Sequence, residues 1–488
     1  MQTSEAARIR TAGAHRSPRN RRSGRATFAR NPSPLGAPAR RRAKKSAAHA
    51  APGRLQDLAT RLRWRGMGQA VARTAGFNVA STIAAGLGGV ILARVTGPTV
   101  RGEYAAITAW FGVAVMVGGM GQPAALCFYV ARHPLNAREY VATSRAMMLM
   151  TGGLTLVAGV LLAPVLAHGQ ADVIVGYRIA FGTSIVAFVG SSYIFSLQAR
   201  DLPRWNVVRL SQPVLSLAAF GILWRLRLLT LDVALLILLG TMLLQLIWAH
   251  RCCRHVGLAP GRARVSFVRP LAAYGVAQIA ALTPTNINAF LDQLVLSQTV
   301  PSADLGRYAV AVSLTSLPVP LVAAIGNVAF PRLASQRAVT GGTSQLQRVA
   351  VLGSAGIAIG ILVPLAVVAH WLVPLAFGAD YAAAVPLLWI LTPGAVFLSC
   401  GQVVGDLLRG RNRPIFVAWA QGLAAVFTVV LLLILLPFVG VSGAAIASTV
   451  AYGVALAAML RCLRRLPNDF ERMETSPPIA DNRLVAEP

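Results

Sequence analysis

The chain has 488 residues, of which 55% are hydrophobic and only 13% charged, and its mean hydropathy is +0.60. That balance excludes an ordinary soluble globular protein and fits one that crosses a membrane many times. The formal net charge of +30 is no argument for a nucleic-acid partner, because 17 of the 46 basic residues fall in the first 66 positions, against the acids Glu5 and Asp57.

Those 66 residues are rich in Arg, Ala, Pro and Ser and contain no apolar run. They read as a disordered basic cytoplasmic tail (1–66) facing anionic lipid headgroups. Residues 8–65 lack the apolar core of a cleaved signal peptide, and Met67 offers a second start.

Apolar segments about 20 residues long, enough to cross a bilayer core, then follow at 74–93, 104–131, 146–167, 173–197, 208–224, 228–249, 271–299, 307–330, 349–373, 383–405, 414–437 and 441–460. We number them spans 1 to 12. With the N-terminus inside, the loops on the cytoplasmic side carry 17 Arg and the opposite loops only five: Arg94, Arg101, Arg225, Arg227 and Arg307. This bias places both termini in the cytoplasm of a multi-pass protein of the inner membrane, with 466–488 as a C-terminal tail.

The chain also repeats itself. A shift of 204 residues lays VILARVTGPTVRGEYAA (90–106) on LVLSQTVPSADLGRYAV (294–310), pairing Gly102 with Gly306 and Tyr104 with Tyr308. Spans 1–2 then superimpose on spans 7–8, which divides the chain into an N-lobe (67–269) and a C-lobe (270–465) of six spans each. The predicted fold class is an all-α integral membrane protein of two six-helix lobes.

The five cysteines, Cys127, Cys252, Cys253, Cys400 and Cys462, form no disulfide framework. HRCCRH (250–255) is too short and too rich in Arg for a structural zinc site, which uses wider, paired spacings. No metal and no cofactor are expected.

Several stretches together resemble a known family. ARVTGPTVRGEYA (93–105) is similar to the signature that follows the first helix of polysaccharide flippases. FLDQLVLS (290–297), LGRYAVA (305–311), VAFPRLAS (328–335), FGADYAAAVPLLWIL (377–391) and VGVSGAAIAS (439–448) follow in order. The chain resembles Wzx-type exporters of lipid-linked oligosaccharides, in the superfamily that also holds MATE exporters and lipid II flippases. It departs from the lipid II flippases in ending on a polar tail rather than two further helices. The resemblance implies alternating access and a polyprenyl-diphosphate-linked oligosaccharide as cargo, taken from the cytoplasmic to the outer leaflet. It also implies membrane lipids, a polysaccharide polymerase and glycosyltransferases as partners. A cation-coupled small-molecule antiporter and a membrane glycosyltransferase or polymerase stand as alternatives.

A diphosphate needs cations, since unpaired charge in hydrocarbon is costly. Arg145, Arg200, Arg204 and Arg209 are candidates on the cytoplasmic side, and Arg178 lies within span 4. The same Arg residues also suffice simply to fix topology and snorkel to headgroups. In span 7, Gln278, Thr285, Asn288 and Asp292 fall at i, i+7, i+10 and i+14, one stripe of a helix that Pro284 is expected to bend. We expect Thr285, Asn288 and Asp292 to face a cleft between the lobes; hydrogen bonding between neighbouring helices is the competing reading.

Overall fold

A computed structural model describes residues 51–259, 261–288, 290–323, 342–411 and 413–465. The expected tails at 1–50 and 466–488, and the end of span 8 at 324–330, lie outside the described residues. Residues 1–64 and 65–488 are separate units. In the first, the backbone is helical from Ala51, inside the segment assigned to the tail. The apolar helices from Ala72 onward belong to the second.

The helices are α1 (Ala51–Gly118), α2 (Gln122–Arg132), α3 (Ala137–Leu166), α4 (Ala171–Gly182), α5 (Ser184–Arg200), α6 (Leu202–Arg225) and α7 (Leu231–His255). After them come α8 (Val268–Asn288), α9 (Leu291–Thr299), α10 (Ser302–Thr315), α11 (Gly342–Phe377), α12 (Ala384–Gly410), α13 (Pro414–Val439) and α14 (Val441–Arg465). No strand occurs among the described residues. Ten helices among these residues are long and apolar enough to cross a membrane. The first of the ten, Ala72–Gly118, contains span 1 and the start of span 2. Span 7, which the ten do not include, is divided between α8 and α9. The order is that of the twelve predicted spans.

Four spans are interrupted where the sequence suggested continuous helices, span 8 by a turn at 316–318 after α10 ends at Thr315. Span 2 breaks after Gly118, because Met120 and Gly121 take positive φ (45° and 63°) and Pro123 opens the next helix. Span 4 pauses at Thr183, whose hydroxyl donates to the Ile179 carbonyl at 3.0 Å. Span 7 breaks between Asn288 and Leu291, while Pro284 lies inside α8. Proline was expected to set the bend, but the helix accommodates it and ends a turn later.

Between spans 1 and 2 the chain turns at Gly97 (φ 76°, ψ 176°), a conformation that a side chain would strain, and Pro98 opens the second helix. By alternation, the α3–α4, α6–α7, α9–α10 and α11–α12 connections fall on the same side of the membrane, here called the Gly97 side.

In the first half α3, α5 and α7 pack together, with α2, α4 and α6 around them; in the second, α12 packs against α11, α14 and α10, and α13 packs against α14. Helix α8 lies against α2 of the first half and α13 of the second. The outward faces are apolar: Leu161, Leu352, Trp371 and Leu433 are each about 70% exposed (72%, 70%, 69% and 70%). Such surfaces belong in lipid.

The halves meet most closely where the two repeats cross. A Cβ built on Gly102 falls 1.7 Å from the Ser302 carbonyl oxygen, and one on Gly306 falls 2.0 Å from that of Pro98. No side chain fits at either position, so backbone touches backbone. One buried cluster spans this contact, joining Ala93, Ala105 and Ala106 of α1 to Leu296, Tyr308 and Tyr381.

Candidate functional site

Where α1 gives way to α2, the first half presents a concave wall. Met116, Cys127 and Phe128 from it, Phe195 and Gln198 from α5, and Tyr274 and Gln278 from α8 line a cavity of about 670 Å³. Two ring planes, Phe128 and Tyr274, stack at 4.7 Å and 17°, and the Arg132 guanidinium lies 5.7 Å from the Phe128 centroid. Behind them Tyr129 stacks on Tyr140 at 5.1 Å and Tyr140 on Phe267 at 4.2 Å. This row of rings ties α2 and α3 to the start of α8. The wall is mostly apolar, and Gln198 and Gln278 supply the amide groups. Flat rings and neutral amides suit a sugar ring, which offers C–H faces and hydroxyls.

The polar stripe of span 7 does not face one place. Gln278 lines the cavity. The side chain of Thr285 lies outside the described residues. Asn288 is buried in the second half: its amide donates to Gln421 Oε1 at 3.3 Å, and its oxygen accepts from Thr428 at 3.1 Å. Asp292 is also buried, 4% exposed. It accepts from Tyr308 Oη at 2.5 Å, Ser448 Oγ at 3.2 Å and the Gln293 amide at 2.7 Å. Asp292 stands in the first turn of α9, where free N–H groups and the helix dipole favour an acid. Among the described residues no cation pairs with it. Asn288 and Asp292 therefore bind span 7 to spans 8, 11 and 12 of its own half, the arrangement of the competing reading.

The candidate cations are spread out. Arg145 reaches from α3 to Tyr193 Oη at 3.3 Å, and Tyr193 meets His250 edge-on at 5.0 Å. Arg178 is exposed on α4, and Arg200 is exposed at the end of α5. Arg204 pairs with Asp201 at 2.6 Å, a solvent-facing bridge of small energetic value. Arg209 lies 4.4 Å over the Trp205 ring and donates to Asn78 at 3.3 Å. Asn206 donates to Thr74 at 3.0 Å, so this segment also fastens α6 to α1.

Aromatic residues are ordinary inside apolar spans, so nothing in the sequence marked Phe128, Phe195 and Tyr274 as a wall. Tyr308 and Ser448, the partners of Asp292, were visible only as members of the motifs LGRYAVA and VGVSGAAIAS.

Among solved structures, the fold is similar to that of the lipid II flippase MurJ in its inward closed conformation, with 13% identity and a TM-score of 0.66 over 81% of this chain and 89% of that one. It is also similar to an inward-facing multidrug resistance MATE family transporter of the MOP superfamily (14% identity, TM-score 0.63, 83% and 96% covered). A third likeness is to a MOP superfamily transporter from Pyrococcus furiosus (12% identity, TM-score 0.60, 84% and 97% covered). A comparison with curated proteins finds no match. The fold is thus shared with the MurJ and MATE structures. Residues 68–337 match the polysaccharide biosynthesis protein family, and the chain belongs to it, as the resemblance to Wzx-type flippases implied.

Proposed function

We propose that the protein carries a polyprenyl-diphosphate-linked oligosaccharide from the cytoplasmic to the outer leaflet of the inner membrane, for cell-surface polysaccharide synthesis. The observation that carries this reading is the 670 Å³ cavity walled by stacked rings and amides, in a chain of the polysaccharide biosynthesis family. The polyprenyl tail stays in lipid while sugars occupy the polar and aromatic wall. Residues 67–269 and 270–465 act as two rocking lobes, open to each side in turn. Cells lacking the protein should lose surface polymer and accumulate the lipid-linked precursor with its sugars facing the cytoplasm. Normal polymer in such cells would contradict the proposal.

The Arg bias supports an outward-facing Gly97 side. Cysteine in place of Gln170 or Ala379, both exposed on that side, should react with an impermeant thiol reagent from outside. A cysteine in place of Leu135, 95% exposed on the opposite side, should react only after permeabilisation. Gly169 and Gly378 are poorer positions, since their φ values of 77° and 110° strain any side chain. Reversed labelling would overturn the orientation.

Diphosphate capture is assigned to Arg200, Arg204 and Arg209 at the cytoplasmic mouth, with Arg145 behind them. Replacing the three outer residues with Gln is expected to slow export roughly tenfold, because charge-assisted hydrogen bonds to phosphate are lost. Membrane insertion should survive, because other basic loops hold the topology. Export at the wild-type rate would remove the cluster from the mechanism. A MATE-like antiporter would instead exchange a small molecule for a cation and ignore the lipid-linked cargo.

A further inference from the structure

The closest contact between the halves obeys the internal repeat, and beside it the repeat-related positions 93/94 and 297/298 all hydrogen-bond across the boundary. Gly102 lies on Ser302 and Gly306 lies on Pro98; each pair becomes the other under the shift of 204. The same shift carries Arg94 onto Gln298 and Ala93 onto Ser297. Arg94 Nη1 crosses to the second half and donates to the carbonyls of Leu375 and Ala376, the latter at 3.2 Å. Gln298 Nε2 crosses the other way and donates to the Leu166 carbonyl at 3.4 Å. Leu166 stands two residues after Pro164 near the end of α3, and Ala376 stands two residues after Pro374 near the end of α11. The acceptors are thus similarly placed, each just past a proline near the end of the third span of its half, although the shift of 204 itself lays Leu166 on His370. Beside them, Tyr381 Oη donates to the Ala93 carbonyl at 3.1 Å, and Trp110 Nε1 donates to Ser297 Oγ at 3.0 Å. Positions 93 and 94, and their repeats 297 and 298, all bond across the boundary.

We propose that this set is a two-fold clasp that closes the halves on the Gly97 side, with Arg94 and Gln298 as matched latches. The clasp rests on the alternating-access reading above, which requires closure on that side to be reversible. Its chemistry suits that. Carbonyls in the last turn of a helix lack an intrahelical donor, so a side chain from the opposite half satisfies them, and a cation there also complements the helix dipole. Water can replace such bonds when the halves part, so their net hold is modest. The crossing itself is glycine against backbone.

The test is a distance measurement that needs no substrate. Spin labels go on Gln170→Cys and Ala379→Cys, exposed neighbours of the two acceptor carbonyls, in the full chain with its five native cysteines replaced by Ala, in lipid nanodiscs. Double electron–electron resonance should show one dominant short distance. Arg94→Ala with Gln298→Ala should raise the ratio of long to short distances roughly tenfold or more, with each single variant intermediate. An unchanged distribution in a helical, monodisperse double variant would overturn the clasp. A second chain carries Arg94→Ala with Gln298→Cys and Leu166→Cys. In it, a disulfide between positions 298 and 166 should restore the short distance, and a persistent long distance would also overturn the proposal. Distances that respond in a protein that moves no lipid-linked sugar would leave the clasp standing and sink the flippase reading. Active export with indifferent distances would do the reverse.

Discussion

Gly102→Leu is expected to abolish export while leaving the protein inserted in the membrane. The Ser302 carbonyl oxygen lies where the new Cβ must go, at 1.7 Å. Backbone on both sides cannot yield as a flexible side chain does. Overpacking of this kind costs about 3 kcal/mol or more in the closed arrangement. The halves relieve it by separating on the Gly97 side, so the closed state loses roughly a hundredfold in population. Gly306→Leu should act alike, because its Cβ meets the Pro98 carbonyl oxygen at 2.0 Å. Gly153→Leu, on α3 with open space at its Cβ, is the control and should export normally. Spin-label distances and export rates for the three variants check this, and a Gly102→Leu protein that exports at the control rate would refute it.

Asp292→Asn should give a folded protein that exports several-fold more slowly, with a flattened response to external pH. A carboxylate near the membrane centre costs about 2.5–3.5 kcal/mol on insertion scales. Here hydroxyls of Tyr308 and Ser448 and the Gln293 amide offset that cost, and no described cation does. Asn keeps the size and most of the hydrogen bonding, so packing should survive. What it loses is the acid's exchangeable proton, and a rate that depends on that proton must fall. Asp292→Leu, which removes the acceptor of two buried hydroxyls and leaves them only each other at 3.4 Å, should instead lower the amount of folded protein. Export measured across acidic and alkaline external pH separates the outcomes. An Asn variant matching wild type in rate and pH profile would make Asp292 purely structural.

The apolar helices and their order could be read from the apolar runs, because bilayer thickness imposes helix length directly. Where those helices break could not. Pro284 carries a breaker's signature yet sits inside α8, while the break after Asn288 has no such sequence mark. Gln278 meets the cavity while Asn288, on the same helix, and Asp292, beyond the break, are both buried in the second half, so a stripe drawn on one straight helix did not give a single direction. Asp292 itself stood out as an acid in an apolar run. Its partners lie on three-dimensional neighbours sixteen and 156 residues away in sequence. The clasp was half visible: the repeat pairs Gly102 with Gly306 and Arg94 with Gln298. The acceptors are main-chain carbonyls, which leave no trace in side-chain pattern.

The most direct measurement is transbilayer movement of the cargo by purified protein in liposomes. The probe is a short-chain polyprenyl diphosphate carrying a fluorescent disaccharide, with leaflet position read by access of an added glycosidase. Protein-containing liposomes should expose sugar initially held in the inner leaflet well above the protein-free rate, and Gly102→Leu should remove the excess. Movement no faster than in protein-free liposomes, with the protein folded and in either orientation, would contradict the proposed function.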